Sequence, residues 1–320
     1  MKERLKFFPV AAFSSAMGMA GFSIALGKFY HLQWLPRVFY DVSVFVALGL
    51  FVLLALIYAL KFVFYPEAVK ADFAHRIRIN FFSAISISLL LLAIAFYTYY
   101  PLLAIALWWA GLLLHTVFML KTIGFWIRHD FEIQQFNPIW FIPVVGNILV
   151  PVTGVDLAPV IISYFYFSVG FFFWMVLFTL FLYRIIFHKE LHEKFIPALF
   201  ILLAPPAVGF ISYIRLTASW DNFSVFLILI TYFFLALLLT MYKSFTGLKY
   251  YISWWAFTFP LAAVTIASTV AYQITYFPFF RYAASGLLAL TAGVISLVLA
   301  YTVDNIRRGQ ICVDEDLQQK

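Results

Sequence analysis

Windows of about 20 or more predominantly apolar residues, the length an α-helix needs to cross a bilayer, recur ten times along this chain. They run roughly over 7–29, 39–64, 77–99, 101–127, 138–155, 159–187, 195–217, 221–243, 250–276 and 282–304. The bilayer core holds no water to satisfy a backbone N–H or C=O, so such windows must bond internally as helices. The remaining residues cannot build a water-facing surface: only 11% of the chain is charged, against about a quarter in a soluble domain. The fold class is therefore all-α integral membrane, with ten transmembrane helices over 1–306 and a short polar tail over 307–320. KERLK followed by Phe7–Leu26 imitates a secretory leader. That apolar stretch outruns a leader's apolar core, and it reads as the first span.

Charge placement constrains the topology. With the loops numbered in order, 17 of the 21 Lys and Arg residues fall on the side of the two termini, leaving Lys28, Arg37, Arg215 and Arg281 on the other. Short cytoplasmic loops carry the excess of Lys and Arg, so both termini are expected in the cytoplasm and the chain is expected to be multi-pass in the plasma (cell) membrane. The net charge of +7 then follows from topology and implies no nucleic acid; the lipid bilayer is the partner.

A pattern recurs at the odd-numbered windows. FFPVAAFSSA opens the first, NFFSAISIS lies in the third, WFIPVVGNIL in the fifth, LLAPPAVGFIS in the seventh and FTFPLAAVTIAS in the ninth. Each joins an apolar or aromatic residue to Pro or Ser and then to small residues. The period is about 60 residues, one two-span hairpin. Even windows carry bulky stretches instead, such as FFFWMVLF in the sixth and YFFLALLL in the eighth. Repeats that cannot bury a special face alone bury it by stacking. Five helical hairpins are expected, with an inner ring of odd helices around a pore and an outer ring of even helices. Small residues serve close helix contact or leave room for a lumen. The prolines favour a lumen, because irregular backbone at membrane depth is tolerated where it is buried in protein or lines a water-filled cavity. On this reading Ser14, Gly18, Ser83, Ser86, Pro143, Gly146, Asn147, Pro205, Pro206, Gly209 and Pro260 line the pore or kink its helices.

Catalysis and ion coupling find little to work with. No Asp, Glu, Lys, Arg or His falls in the middle of an odd window, and Asp41 and Asp304 sit at window ends. An intramembrane ionisable group is the usual mark of a proton relay or ion site. A nucleophilic serine needs a neighbouring base, which Ser14, Ser83 and Ser86 lack within the inner windows. No catalytic residue, metal or cofactor is expected. His188 and His192 share an i, i+4 spacing, but HKELH lacks the order of a zinc-binding HExxH helix and reads as a solvated loop. His115 reads as a packed, hydrogen-bonded histidine of the fourth window. The single cysteine, Cys312, allows no intrachain disulfide.

Lys6, Arg76, Arg78, Lys194 and Lys249 stand at the cytoplasmic ends of odd windows. Around a pore they would form a basic inner mouth that concentrates anions and repels cations. The positive-inside tendency alone also accounts for them.

Two strings, NPIWFIPVVGN at 137–147 and WWAFTFP at 254–260, resemble the tellurite-resistance/dicarboxylate transporter family. That family includes bacterial tellurite-resistance membrane proteins, fungal malate permeases and the slow anion channels of plant guard cells. The resemblance covers nearly the whole chain. It implies a homotrimer in which each protomer has its own pore inside five inner helices. It also implies a gate, a phenylalanine of the ninth span, which falls here on Phe259. Pro260 then bends the span, and the small Ala262 and Ala263 leave room for the ring of Phe259 to project inward. Phe257, two residues back, is expected to face away.

The expected function is passive, channel-like conduction of small inorganic anions, gated by Phe259. The alternative is a secondary transporter, proton-linked or not, of C4-dicarboxylates such as malate, whose own carboxyl can carry the proton. An enzyme is disfavoured because no catalytic constellation is visible.

Overall fold

A computed structural model describes residues 2–313. Residues 314–320 of the expected polar tail lie outside the described residues. Among the described residues, ten helical segments are long and apolar enough to cross a membrane. They are Val10–His31 (span 1), Arg37–Phe64 (span 2), Arg78–Phe96 (span 3), Pro101–Arg128 (span 4), Pro138–Leu157 (span 5), Val160–Phe187 (span 6), Glu193–Thr217 (span 7), Asn222–Thr240 (span 8), Ile252–Thr275 (span 9) and Pro278–Arg307 (span 10). The expected windows are all present, with ends moved by a few residues, and no strand occurs among the described residues.

Odd and even spans differ in burial. Within their apolar stretches, 78% to 94% of odd-span residues are buried in the protein, against 28% to 39% for the even spans. Side chains such as Leu56, Leu113, Phe172, Phe233 and Leu297 stay exposed on even spans, as lipid-facing side chains must. Consecutive spans pack as hairpins: 1 with 2, 3 with 4, 5 with 6, 7 with 8, and 9 with 10. The odd spans also touch in series, 1 to 3, 3 to 5, 5 to 7 and 7 to 9, and span 9 returns to span 1.

The two sets differ in backbone as well. Each even span is one unbroken α-helix. Odd spans change character part-way. Span 1 is 3-10 helix over Val10–Ala12 and α over Phe13–His31; span 7 is 3-10 over Glu193–Leu203 and α over Ala204–Thr217; span 9 is 3-10 over Ile252–Phe257 and α over Thr258–Thr275. Span 3 breaks at Phe82, and span 5 alternates short 3-10 and α pieces from Pro138 to Leu157. Proline explains the position of several breaks. It has no N–H to give and clashes with the carbonyl four residues back, so the first turn of a helix, where N–H groups have no internal partner, tolerates it. Pro205 and Pro206 open the α part of span 7, and Pro260 lies in the first turn of the α part of span 9. The irregularity in span 9 is thus a change of helix type at Phe257–Thr258, with Pro260 just beyond it.

Two glycines set the approach of span 1 to that junction. A Cβ on Gly18 would fall 2.0 Å from Thr258 Oγ1, and one on Gly21 would fall 3.0 Å from Phe259 Cδ2. A side chain at Gly18 would collide with that of Thr258, and one at Gly21 would press on the ring of Phe259, so small residues let span 1 lie close to span 9.

Candidate functional site

Three spaces succeed one another along the odd spans. At the end carrying the termini is a cavity of about 980 Å³, lined by Phe7, Pro9, His192, Lys194, Lys249 and the segment Gln310–Val313 among others. Next comes a central cavity of about 60 Å³. At the far end is a third, of about 440 Å³. Spans 7 and 9 and the start of span 1 meet them in that order, while spans 3 and 5 line the central and far spaces only. Along span 1 the lining residues are Ser14 and Met17 in the centre, then Ile24, Gly27, Lys28 and His31 at the far end. The residues lining the central cavity belong to odd spans, as do nearly all of those lining the far one.

The central cavity is the narrow part. A water needs about 10–15 Å³ of such space, so 60 Å³ admits only a few. Its walls include Met17, Ile142, Leu149, Val208, Phe259 and Pro260, with Ser14, Ser253 and the indole of Trp255 as the polar side chains, and no charged residue lines it. An apolar constriction of this kind tends to expel water. Phe259 is 9% exposed, and its ring rests where Gly21 leaves room. Phe257 packs off the cavity, its ring 4.9 Å from that of Phe200 and 5.9 Å from that of Phe245.

Of the residues singled out in the sequence, Ser14, Gly146, Pro205, Phe259 and Pro260 meet at the central cavity. The others lie in helix contacts. Gly18 faces Thr258, and Gly209 faces Leu227 of span 8. Ser86 donates to the carbonyl of Ser83 at 2.9 Å and pairs at 2.9 Å with Nδ1 of His115, the packed histidine of span 4. Ser83 is fully buried, and its hydroxyl has no partner among the described residues. Asn147 donates to the carbonyl of Val144 at 2.6 Å. Pro143 and Pro206 are buried within spans 5 and 7.

The five expected mouth residues also divide. Lys194 and Lys249 line the cavity at the terminal end. Glu193 stands beside them, accepting the Lys249 backbone N–H at 2.7 Å. Lys6 lies over the ring of Phe7, at 5.4 Å. Arg76 is turned to Gln135, 2.9 Å away, and to the ring of Phe131. Arg78 is paired at 3.0 Å with Asp72, whose other oxygen takes Lys61 at 2.6 Å and Tyr58 at 3.1 Å. That cluster is buried, and Lys61 also donates to the carbonyl of Phe8 at 2.9 Å, tying span 2 to the start of span 1. The charge of Arg78 is therefore offset by a carboxylate. His192 accepts the N–H of Lys194 at 3.3 Å as the cap of span 7. Burial pushes the Cys312 thiol up, against the opposing influence of Lys61 and Arg4, so it is protonated near neutral pH.

Sequence reasoning missed the far cavity. Lys28, His31, Asp156, Arg215 and Gln273 line it. Arg215 is ion-paired with Asp156 and donates through Nε to the carbonyl of Val152 at 2.9 Å. Burial, and then a hydrogen bond to Asp156, push the Tyr97 phenol up. Gly21 was missed as well. The signal was present in helical spacing. Ser14, Gly18, Gly21, Ala25 and Lys28 fall at i, i+4, i+7, i+11 and i+14, one face of a helix.

Comparison with known proteins adds a family. The profile described as voltage-dependent anion channel matches residues 7–303. An uncharacterized transporter of Methanocaldococcus jannaschii is 25% identical over 343 residues, covering 98% of this chain and 99% of that protein. The S-type anion channel SLAH3 of Arabidopsis thaliana is 29% identical over 279 residues, covering 82% of this chain but 42% of the plant protein. A tellurite resistance protein TehA homolog of Haemophilus influenzae is 26% identical over 312 residues, with 94% and 92% covered. The chain thus spans nearly the whole of these archaeal and bacterial relatives and less than half of the plant channel.

Proposed function

The chain belongs to the voltage-dependent anion channel family, and on that premise we propose that it passes small inorganic anions passively across the plasma membrane. The pore is enclosed by a ring of the five odd spans of each protomer, with the even spans outside against lipid or neighbouring protomers of a homotrimer. Both termini face the cytoplasm. The observation that carries this reading is the central cavity: its lining comes from every odd span, and Phe259 stands in its wall between two larger spaces.

Phe259 closes the pore by filling an apolar constriction that water leaves. Turning the ring aside is inexpensive: a displacement of about 30° from a preferred rotamer costs on the order of 0.5–1.5 kcal/mol. Small movements of span 1 against span 9 are enough, since Gly21 sets the space the ring occupies. Lys194 and Lys249 raise the anion concentration at the cytoplasmic mouth. The central constriction carries no charge of its own, which suits conduction, because an ion held weakly can also leave.

Reconstitution in liposomes tests the reading. A steady current in a chloride gradient, without proton movement, is the expected result. Malate uptake that depends on a pH gradient, with no steady current, would replace the channel with a proton-linked dicarboxylate carrier.

A further inference from the structure

Four basic residues lie toward the end of the molecule away from the termini, and three are engaged. Arg37 pairs with Asp41 at 3.2 Å and lies over the ring of Tyr99. Arg281 lies over Trp34, 5.3 Å from the ring centre. Arg215 pairs with Asp156 inside the far cavity. Lys28 lines that same cavity and has neither a carboxylate nor a hydrogen-bond partner among the described residues. Arg215 and Asp156 carry opposite formal charges, so a protonated Lys28 gives the cavity a formal net charge of +1. A second unspent group stands in the same wall: Thr153 is 3% exposed, and its hydroxyl has no partner among the described residues.

We infer that Lys28, with the Thr153 hydroxyl, forms an anion-binding site in the far cavity that takes one small monovalent anion: a halide, nitrate or a single carboxylate group. The inference rests on the conduction reading for its purpose, though not for its geometry. A lone ammonium attracts an anion by charge, and a hydroxyl donates one hydrogen bond to it. One net charge matches a monoanion; a dianion would remain half-neutralised. Lys28 continues the face of span 1 that carries Ser14 and Gly21, so an anion held there lies on the face that leads to the narrow centre. The molecule then has anion-attracting groups on both sides of an uncharged constriction: Lys194 and Lys249 at one end, and Lys28 at the other.

Bromide is the probe. Crystals of the full chain soaked in bromide should show an anomalous peak beside Lys28 Nζ and Thr153, absent in Lys28→Gln. No peak in the wild type overturns the site. In liposomes, Lys28→Gln should lower the bromide current entering from the far side by about ten-fold at low salt, the lower end of electrostatic steering. Current from the terminal side should fall less, the effect should fade in high salt, and Lys28→Arg should restore it. A conducting Lys28→Gln variant with unchanged far-side current overturns the proposal. A bromide peak in a wild-type protein that passes no current supports the site and removes the conduction reading instead.

Discussion

Spans 1 and 2 are neighbours of similar apolarity, yet their glycines mean opposite things. Gly18 and Gly21 in span 1 are each occupied by a neighbour: a side chain at either would press on Thr258 or Phe259. Gly49 in span 2, like Gly286 and Gly293 in span 10, has nothing within 4 Å of where a Cβ would stand. Not every even-span glycine is open: Gly111 in span 4 and Gly170 in span 6 sit against Leu90 and Ile148 of odd spans. The contrast holds for the faces turned to lipid, where Gly49, Gly286 and Gly293 stand. The same division explains backbone. Even spans are continuous helices because lipid offers no partner to a broken ladder. Odd spans change helix type because protein and cavity surround them.

The comparison breaks most severely where an even span is fastened to the interior. Lys61 is buried beside Asp72 and reaches Phe8. Removing one partner of a buried pair costs about 3–5 kcal/mol, and Arg78 and Tyr58 remain to hold Asp72, so Lys61→Met should fall toward the lower figure. Thermal unfolding in detergent checks it; an unshifted midpoint would mean the cluster holds nothing together. The next effect belongs to glycine. Gly18→Ala should cost about 1–3 kcal/mol by overpacking, while Gly49→Ala and Gly293→Ala should leave stability unchanged or slightly raised. Equal losses at all three positions would erase the distinction between inner and outer spans. The smallest effect concerns how an even span begins. Asp221 caps span 8, and its carboxyl is held below the usual range by the Tyr213 hydroxyl at 2.6 Å and by the N–H groups of Ser224 and Phe223. A lowered carboxylate value adds stability that is present above about pH 4 and is lost as pH falls through the folded-state value. Asp221→Ala should therefore lower the midpoint slightly between about pH 5 and 7, with the difference vanishing in more acid buffer.

Much of this was legible in the sequence because it is periodic. The ten windows, the five hairpins and the division into small-residue odd spans and bulky even spans all follow from counting. Pro260, Ser14, Gly146 and Pro205 were found because proline, glycine and serine stand out in apolar text, Phe259 only through the family resemblance of WWAFTFP, and all five gather at one cavity. Residues of the same types that pack helices, such as Gly18, Ser86 and Asn147, look no different in the chain. Only the partner across the contact separates them, and that partner is distant in sequence. Arg78 misled for a related reason: its counter-charge, Asp72, lies in the linking segment Pro66–Ala74, and the count of positive charges ignores acids. Lys28 was legible as the end of a helical stripe but was counted as an exception to the charge rule.

The central claim is that the side chain at position 259 fills a passage while its near neighbour fills a core. Anion current and thermal stability measured side by side for Phe259→Ala and Phe257→Ala test it most directly. Phe257 is wedged between Phe200 and Phe245, so its loss should cost about 3–5 kcal/mol, as in an ordinary core, with no gain of current. Phe259→Ala should leave stability near that of the wild type and raise the current. If Phe259→Ala instead unfolds the protein as Phe257→Ala does, or leaves the current unchanged, the central cavity is a packing flaw and no passage runs through it.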